Sequence, residues 1–230
     1  MVEVREEERV VSIRDEDEEE DDVSRVMRMA RVVRPLEHYH QVGNVHLVIG
    51  DSIARDFPYR VVEPDRIVNV AEGGLTYRRL VKQIECDLAY WRQQITSYEV
   101  EGTVVVWLGD NDVYPRRNEG APGHLATRAV RDVISVLLET VPPHSIVILG
   151  PTPRQVDRRW EQSPAYHAET KIASVASDIS GAITVVRYIG RPLADRNHGM
   201  TRRGVFKQDV VHLTPLAYER VAVRLPNWLK

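Results

Sequence analysis

Five short apolar runs punctuate the chain, most of them closed by glycine. They are Val45-His46-Leu47-Val48-Ile49, Arg66-Ile67-Val68-Asn69-Val70, Thr103-Val104-Val105-Val106-Trp107-Leu108, Ser145-Ile146-Val147-Ile148-Leu149 and Ile183-Thr184-Val185-Val186. They are rich in β-branched residues and show little alternation, the pattern of strands buried on both faces. Between them lie helix-like stretches at about 75–97, 124–140, 163–180 and 215–224. In the second of these, Leu125, Ala129, Val133, Val136 and Leu137 recur at helical spacing. Thr214-Pro215 reads as an N-cap followed by proline at the first helical position. Strand and helix therefore alternate. That predicts an α/β fold, a three-layer αβα sandwich with a parallel sheet of about five strands.

Such sheets carry their active groups in the loops after the carboxyl ends of the strands. Gly50-Asp51-Ser52 follows the first strand, Gly73-Gly74 the second, and Gly109-Asp110-Asn111-Asp112 the third. Asp209-Val210-Val211-His212 precedes the last helix. A serine hydroxyl becomes a nucleophile only when a base takes its proton. His212 is the candidate base. Asp209, three residues earlier, reaches the imidazole if the loop turns back on itself. The N–H groups of Ser52 and Gly74 and the Asn111 amide could stabilise an oxyanion.

Each motif alone is weak. Together, Gly-Asp-Ser, Gly-x-Asn-Asp and Asp-x-x-His occur by chance in roughly 1 in 2,000 chains of this length. The set, in this order, resembles the SGNH or GDSL-type hydrolase superfamily, over about residues 44–224. The resemblance implies Ser52 as nucleophile and backbone donor, Gly74 as backbone donor, Asn111 as side-chain donor, His212 as base and Asp209 as its orienter. Either Gly73 or Gly74 fills the glycine role, and the spacing to Thr76 favours Gly74. Asp51 and Asp112 would hold the loops. Asp110 departs from the family pattern. Its carboxylate would either disfavour anionic substrates or point to solvent. The expected sheet order is flavodoxin-like, 2-1-3-4-5. The implied activity is a serine esterase acting on short acyl esters of acetyl type through a covalent acyl-enzyme, with no cofactor and no metal. The alternative is a catalytically weak domain of this type that binds RNA or lipid, within a retroelement or viral polyprotein.

Composition narrows the rest. The chain has 230 residues, 43% hydrophobic and 28% charged, enough for one sizeable core. No apolar run approaches transmembrane length, and the start lacks the pattern of a secretory signal. A single cysteine, Cys86, excludes an internal disulfide and a Cys-based zinc site. Its mid-helix position suggests packing. The expectation is an intracellular, cytoplasmic protein.

The net charge of −3 conceals an asymmetry. Residues 1–22 carry 12 acids and 3 bases, hence −9, and the remainder is +6. Residues 1–24 read as an acidic, mobile tail, either solubilising or a decoy for a basic surface, and 25–230 as a single domain. Arg25, Arg28, Arg31 and Arg34 stand beside the tail as its pairing partners. Residues 187–207 hold Arg187, Arg191, Arg196, Arg202, Arg203 and Lys207 against Asp195. That stretch is either a solvated loop or a surface that steers an acidic or nucleic-acid partner. Trp107 either lines an acyl pocket or packs in the core. The histidines other than His212 read as structural or surface residues.

Overall fold

The computed structural model describes residues 46–57, 67–86, 103–114, 123–139, 141–154, 157, 159–195, 199 and 202–225. The acidic segment, Arg25 to Arg34, His38, His40, Arg196 and His198 lie outside the described residues, as do the proposed tail boundary and the 87–97 portion of the first predicted helix.

The strands are β1 (His46–Gly50), β2 (Ile67–Asn69), β3 (Val104–Trp107), β4 (Ile146–Leu149) and β5 (Thr184–Val186). They form a parallel sheet in the order β2-β1-β3-β4-β5. β1 and β3 are central. All four residues of β3 and of β4 are buried, which is why neither shows alternation.

The helices are α1 (Ser52–Arg55), α2 (Tyr77–Cys86), α3 (Asp110–Val113), α4 (Thr127–Leu138), α5 (Pro164–Ile179) and α6 (Pro215–Ala222). Two cores sandwich the sheet. On one face Leu47, Ile49, Val104, Val106, Ile146 and Ile148 pack with the buried stripes of α2, α4 and α5. On the other, Val48, Val105, Trp107, Val147 and Leu149 pack with α1 and with Ala217, Tyr218 and Val221 of α6. Each fully buried Val, Leu or Ile contributes about 1.5–3 kcal/mol, so this double burial dominates the cohesion of the fold.

Local signals set the helix ends. Ser163 caps α5 by accepting the Tyr166 N–H at 3.1 Å, with Pro164 next. Thr214 caps α6, and Pro215 opens it. α4 is shorter than its apolar pattern. Leu125 is buried ahead of the helix, and Val130 and Ile134 complete the stripe. Among the described residues no helix is long and apolar enough to cross a membrane.

Candidate active site

β1 delivers Ser52 to the carboxyl edge of the sheet. Gly50 is sterically required there, because a Cβ would sit 2.3 Å from the Trp107 carbonyl oxygen and 2.4 Å from the Ala54 Cβ. Asp51 then caps α1, accepting the Ile53 N–H at 2.9 Å, and Ser52 is the first helical residue. Asp51 is fully buried. Burial pushes its carboxyl well above the usual range and the nearby Asp110 charge adds to this, against the N–H bonds from Ile53 and Ala54.

His212 arrives from the other end of the chain. Phe206 and Leu213 pair antiparallel, and the Lys207 N–H donates to the His212 carbonyl at 2.7 Å. Val210 reverses the loop with φ 57°, a left-handed conformation unusual for a β-branched residue. The turn lets one carboxylate do three things. Asp209 Oδ1 accepts the N–H groups of Val211 at 3.0 Å and His212 at 2.9 Å, and Oδ2 lies 2.5 Å from His212 Nδ1. Slight desolvation opposes ionisation of Asp209, but the bonds from the His212 ring and the two N–H groups outweigh it and hold the carboxyl down at about 2. An ionised Asp209 accepts the Nδ1 proton, which leaves Nε2 as an acceptor. Nε2 lies 2.9 Å from Ser52 Oγ. Ser52, His212 and Asp209 thus form one hydrogen-bonded chain.

The loops after β2 and β3 latch together beside it. The Glu72 N–H donates to the Gly50 carbonyl at 2.8 Å. Gly109 takes φ 123°, which reverses the chain into α3. From α3, Asn111 donates one amide hydrogen to the Leu75 carbonyl at 3.1 Å, and Asp112 accepts the Tyr77 N–H at 3.1 Å. Burial raises Asp112 to about 6, against that hydrogen bond and the Arg78 charge. The second amide hydrogen of Asn111 has no acceptor among the described residues. Among the described residues, the N–H groups of Ser52 and Gly74 have no acceptor. Gly74, at φ 79°, is half-buried next to the Leu75 carbonyl that Asn111 grips, whereas Gly73 is exposed. That difference favours Gly74.

Several sequence expectations change here. Asp110 does not point to solvent. It is 4% exposed, and its two oxygens accept the Thr152 N–H at 3.3 Å and the Thr152 hydroxyl at 3.0 Å. Burial raises it to about 6 despite those bonds. Trp107 is fully buried against Phe57, with ring centroids 5.4 Å apart, so it belongs to the core. Cys86 is exposed rather than packed. Within the 187–207 stretch, three of the basic residues have partners. Arg187 pairs with buried Glu169 at 3.0 Å, Lys207 reaches Asp56 at 3.5 Å, and Arg202 donates to the Ala194 carbonyl at 3.1 Å.

Supporting residues emerge that no motif marked. Tyr218 of α6 donates its hydroxyl to the Ile53 carbonyl at 3.1 Å. Tyr114 donates to Asp157, and Arg154 donates to the Tyr114 carbonyl at 3.0 Å, which ties the loops after β3 and β4 together. Among the described residues, no group of three His, Cys, Asp or Glu could hold a metal ion.

No family model and no curated protein matches the chain. Solved structures do match in fold. A protein of Streptococcus pneumonia named for platelet activating factor aligns at 18% identity with a TM-score of 0.61, covering 90% of this chain and 94% of that one. The acetyl xylan esterase AlAXEase aligns at 18% identity and TM-score 0.56, covering 78% and 97%. A GDSL-like lipase from Bacteroides thetaiotaomicron aligns at 15% identity and TM-score 0.54, covering 88% and 94%. The chain has the α/β fold of the GDSL-type, or SGNH, hydrolases.

Proposed function

We propose that this protein is a serine esterase that hydrolyses short acyl esters through a covalent acyl-enzyme. The observation that carries the reading is the unbroken chain from Ser52 Oγ to His212 Nε2 at 2.9 Å and from His212 Nδ1 to Asp209 at 2.5 Å. A domain that only binds has no chemical need for that chain.

Ser52 Oγ attacks the acyl carbon while His212 Nε2 takes its proton. The carbonyl electrons move onto oxygen, where the N–H groups of Ser52 and Gly74 and the free amide hydrogen of Asn111 receive the charge. Removing one such donor typically costs about 3–4 kcal/mol of barrier. The intermediate collapses, the C–O bond to the leaving group breaks, and His212 returns its proton to the departing alkoxide. Water then attacks the Ser52 ester with His212 again as base. Acid is released, and the serine regains its proton from His212. Asp209 stays ionised throughout, because its neighbours hold it at about 2. The cycle closes with these side chains and water. The acetyl-ester preference is supported by the fold shared with an acetyl xylan esterase.

Hydrolysis of p-nitrophenyl acetate, butyrate and octanoate by the wild type and by Ser52→Ala tests this. The expected result is turnover fastest on acetate, with kcat falling by about 10³-fold or more in Ser52→Ala. Equal background rates in both proteins overturn it.

A further inference from the structure

One concave surface is lined by none of Ser52, Asp209 and His212. It is a groove of about 1050 Å³ between the turn at Trp160–Gln162, the loop following β5 and the C-terminal end of α6. α6 begins three residues after His212 and rises about 1.5 Å per residue. Its eight residues span about 12 Å.

The charge of the groove is one-sided. Five arginines line it against two carboxylates, Glu161 and Asp195, and no lysine takes part. Several arginines elsewhere among the described residues are engaged. Arg55 pairs with Asp56, Arg79 with Glu72 and Arg187 with Glu169. Among the described residues, Arg191, Arg220 and Arg224 have no carboxylate within ion-pairing distance. A helix C-terminus accounts for cations at 220 and 224 through its dipole. It does not account for Arg191 or Arg202, which come from a separate loop. Arg202 is fixed by its bond to the Ala194 carbonyl. Guanidinium forks suit phosphate oxygens better than ammonium groups do.

Aromatic surface accompanies the charge. Tyr188 is 41% exposed on the groove wall, at φ 63°. Buried Glu169 holds that backbone, accepting the Tyr188 N–H at 2.7 Å and the Ile189 N–H at 3.2 Å. The ring stacks near Tyr166 at 6.4 Å and meets Trp160 edge-on at 6.0 Å. Val223, 72% exposed, faces the same groove.

Arginines with aromatic and apolar surface between them, in a concave track, are the elements that hold a flexible phosphodiester strand and its bases. We propose that this groove binds single-stranded nucleic acid, with Arg191, Arg202, Arg220 and Arg224 on the phosphates and the Tyr188 wall against the bases. The site is independent of the esterase reading, since it uses none of the catalytic residues.

Fluorescence anisotropy with labelled ten-nucleotide uridine and thymidine strands, on the full chain at about 50 mM and about 200 mM salt, provides the test. The expected result is saturable binding that weakens with salt. Arg191→Glu with Arg224→Glu should lose about tenfold or more of that affinity. The control pair Arg128→Glu with Arg131→Glu, on the surface of α4, should change it less than about twofold. Thermal melts verify folding of each variant. If the double reversal fails to fold, Arg224→Gln replaces it and should weaken binding about threefold. Loss shared equally by the control pair, equal affinity for duplex, no saturable binding at low salt, or binding to phosphatidylserine vesicles alone would each overturn the proposal.

Discussion

The Tyr218 hydroxyl donates to the Ile53 carbonyl at 3.1 Å across 165 residues of sequence. Ile53 directly follows Ser52, and Tyr218 lies on the helix that begins three residues after His212. This one bond therefore ties the support of the proposed nucleophile to the support of its base. Tyr218 is also buried edge-on against Phe57, with centroids 5.6 Å apart.

Tyr218→Phe keeps the packing and removes the donor, leaving a buried carbonyl unpaired. The expected cost is about 1–3 kcal/mol in urea unfolding. Esterase kcat should fall with KM little changed, since the Ser52–His212 geometry loosens and no substrate contact is lost. Unchanged stability and kcat together would show that the bond carries no load.

Val210 occupies a left-handed conformation that asparagine adopts more readily. Val210→Asn should leave turnover unchanged and raise stability by about 0.5–1 kcal/mol. Val210→Pro demands φ near −65° and removes the N–H that bonds the Lys207 carbonyl. It should reduce turnover as severely as His212→Ala, and thermal melts would show whether the rest of the fold survives.

Asp110 and Asp112 give a pH signature. Burial raises both carboxyls to about 6, above their unfolded value. A raised carboxyl favours the fold while protonated. Their contribution is full below about pH 4 and is lost as pH rises through about 6. Asp209, held near 2, acts the other way, and only below about pH 4. Asp110→Asn can still accept the Thr152 N–H. It should flatten the fall in unfolding free energy between about pH 4 and about pH 6.5 by about 1–3 kcal/mol. Urea titrations at the two pH values measure this, and an unaltered slope counts against a buried, raised Asp110.

Glu169 accepts from Arg187, Tyr188 and Ile189 while itself buried. Glu169→Ala leaves two backbone donors and a guanidinium without their acceptor and should cost about 3–5 kcal/mol. Glu169→Gln retains one acceptor oxygen and should cost less. Chemical denaturation ranks the two variants, and the reverse order would refute the assignment.

Much of this architecture was legible in the chain itself. The β-branched runs located the five strands of the described residues within a residue or two, because strands buried on both faces need unbroken apolar sequence. Thr214-Pro215 marked the start of α6 because capping is settled within four residues. Ser52, Gly74, Asn111, Asp209 and His212 stood out as candidates because each sits in a short motif at a strand or helix end. Their contacts did not. Asp110 reads as a loose turn residue until β4 brings Thr152 beside it from 42 residues away. Trp107 could be lining or core until α1 and α6 covered its face of the sheet. Arg191, Arg202, Arg220 and Arg224 share no motif, and only the packing of α6 against the loop after β5 makes them one groove. Apolar periodicity and capping are local, so sequence determined the elements and the candidate chemistry. Proximity between distant loops follows from sheet order and helix packing, so tertiary structure alone decided which of those groups meet.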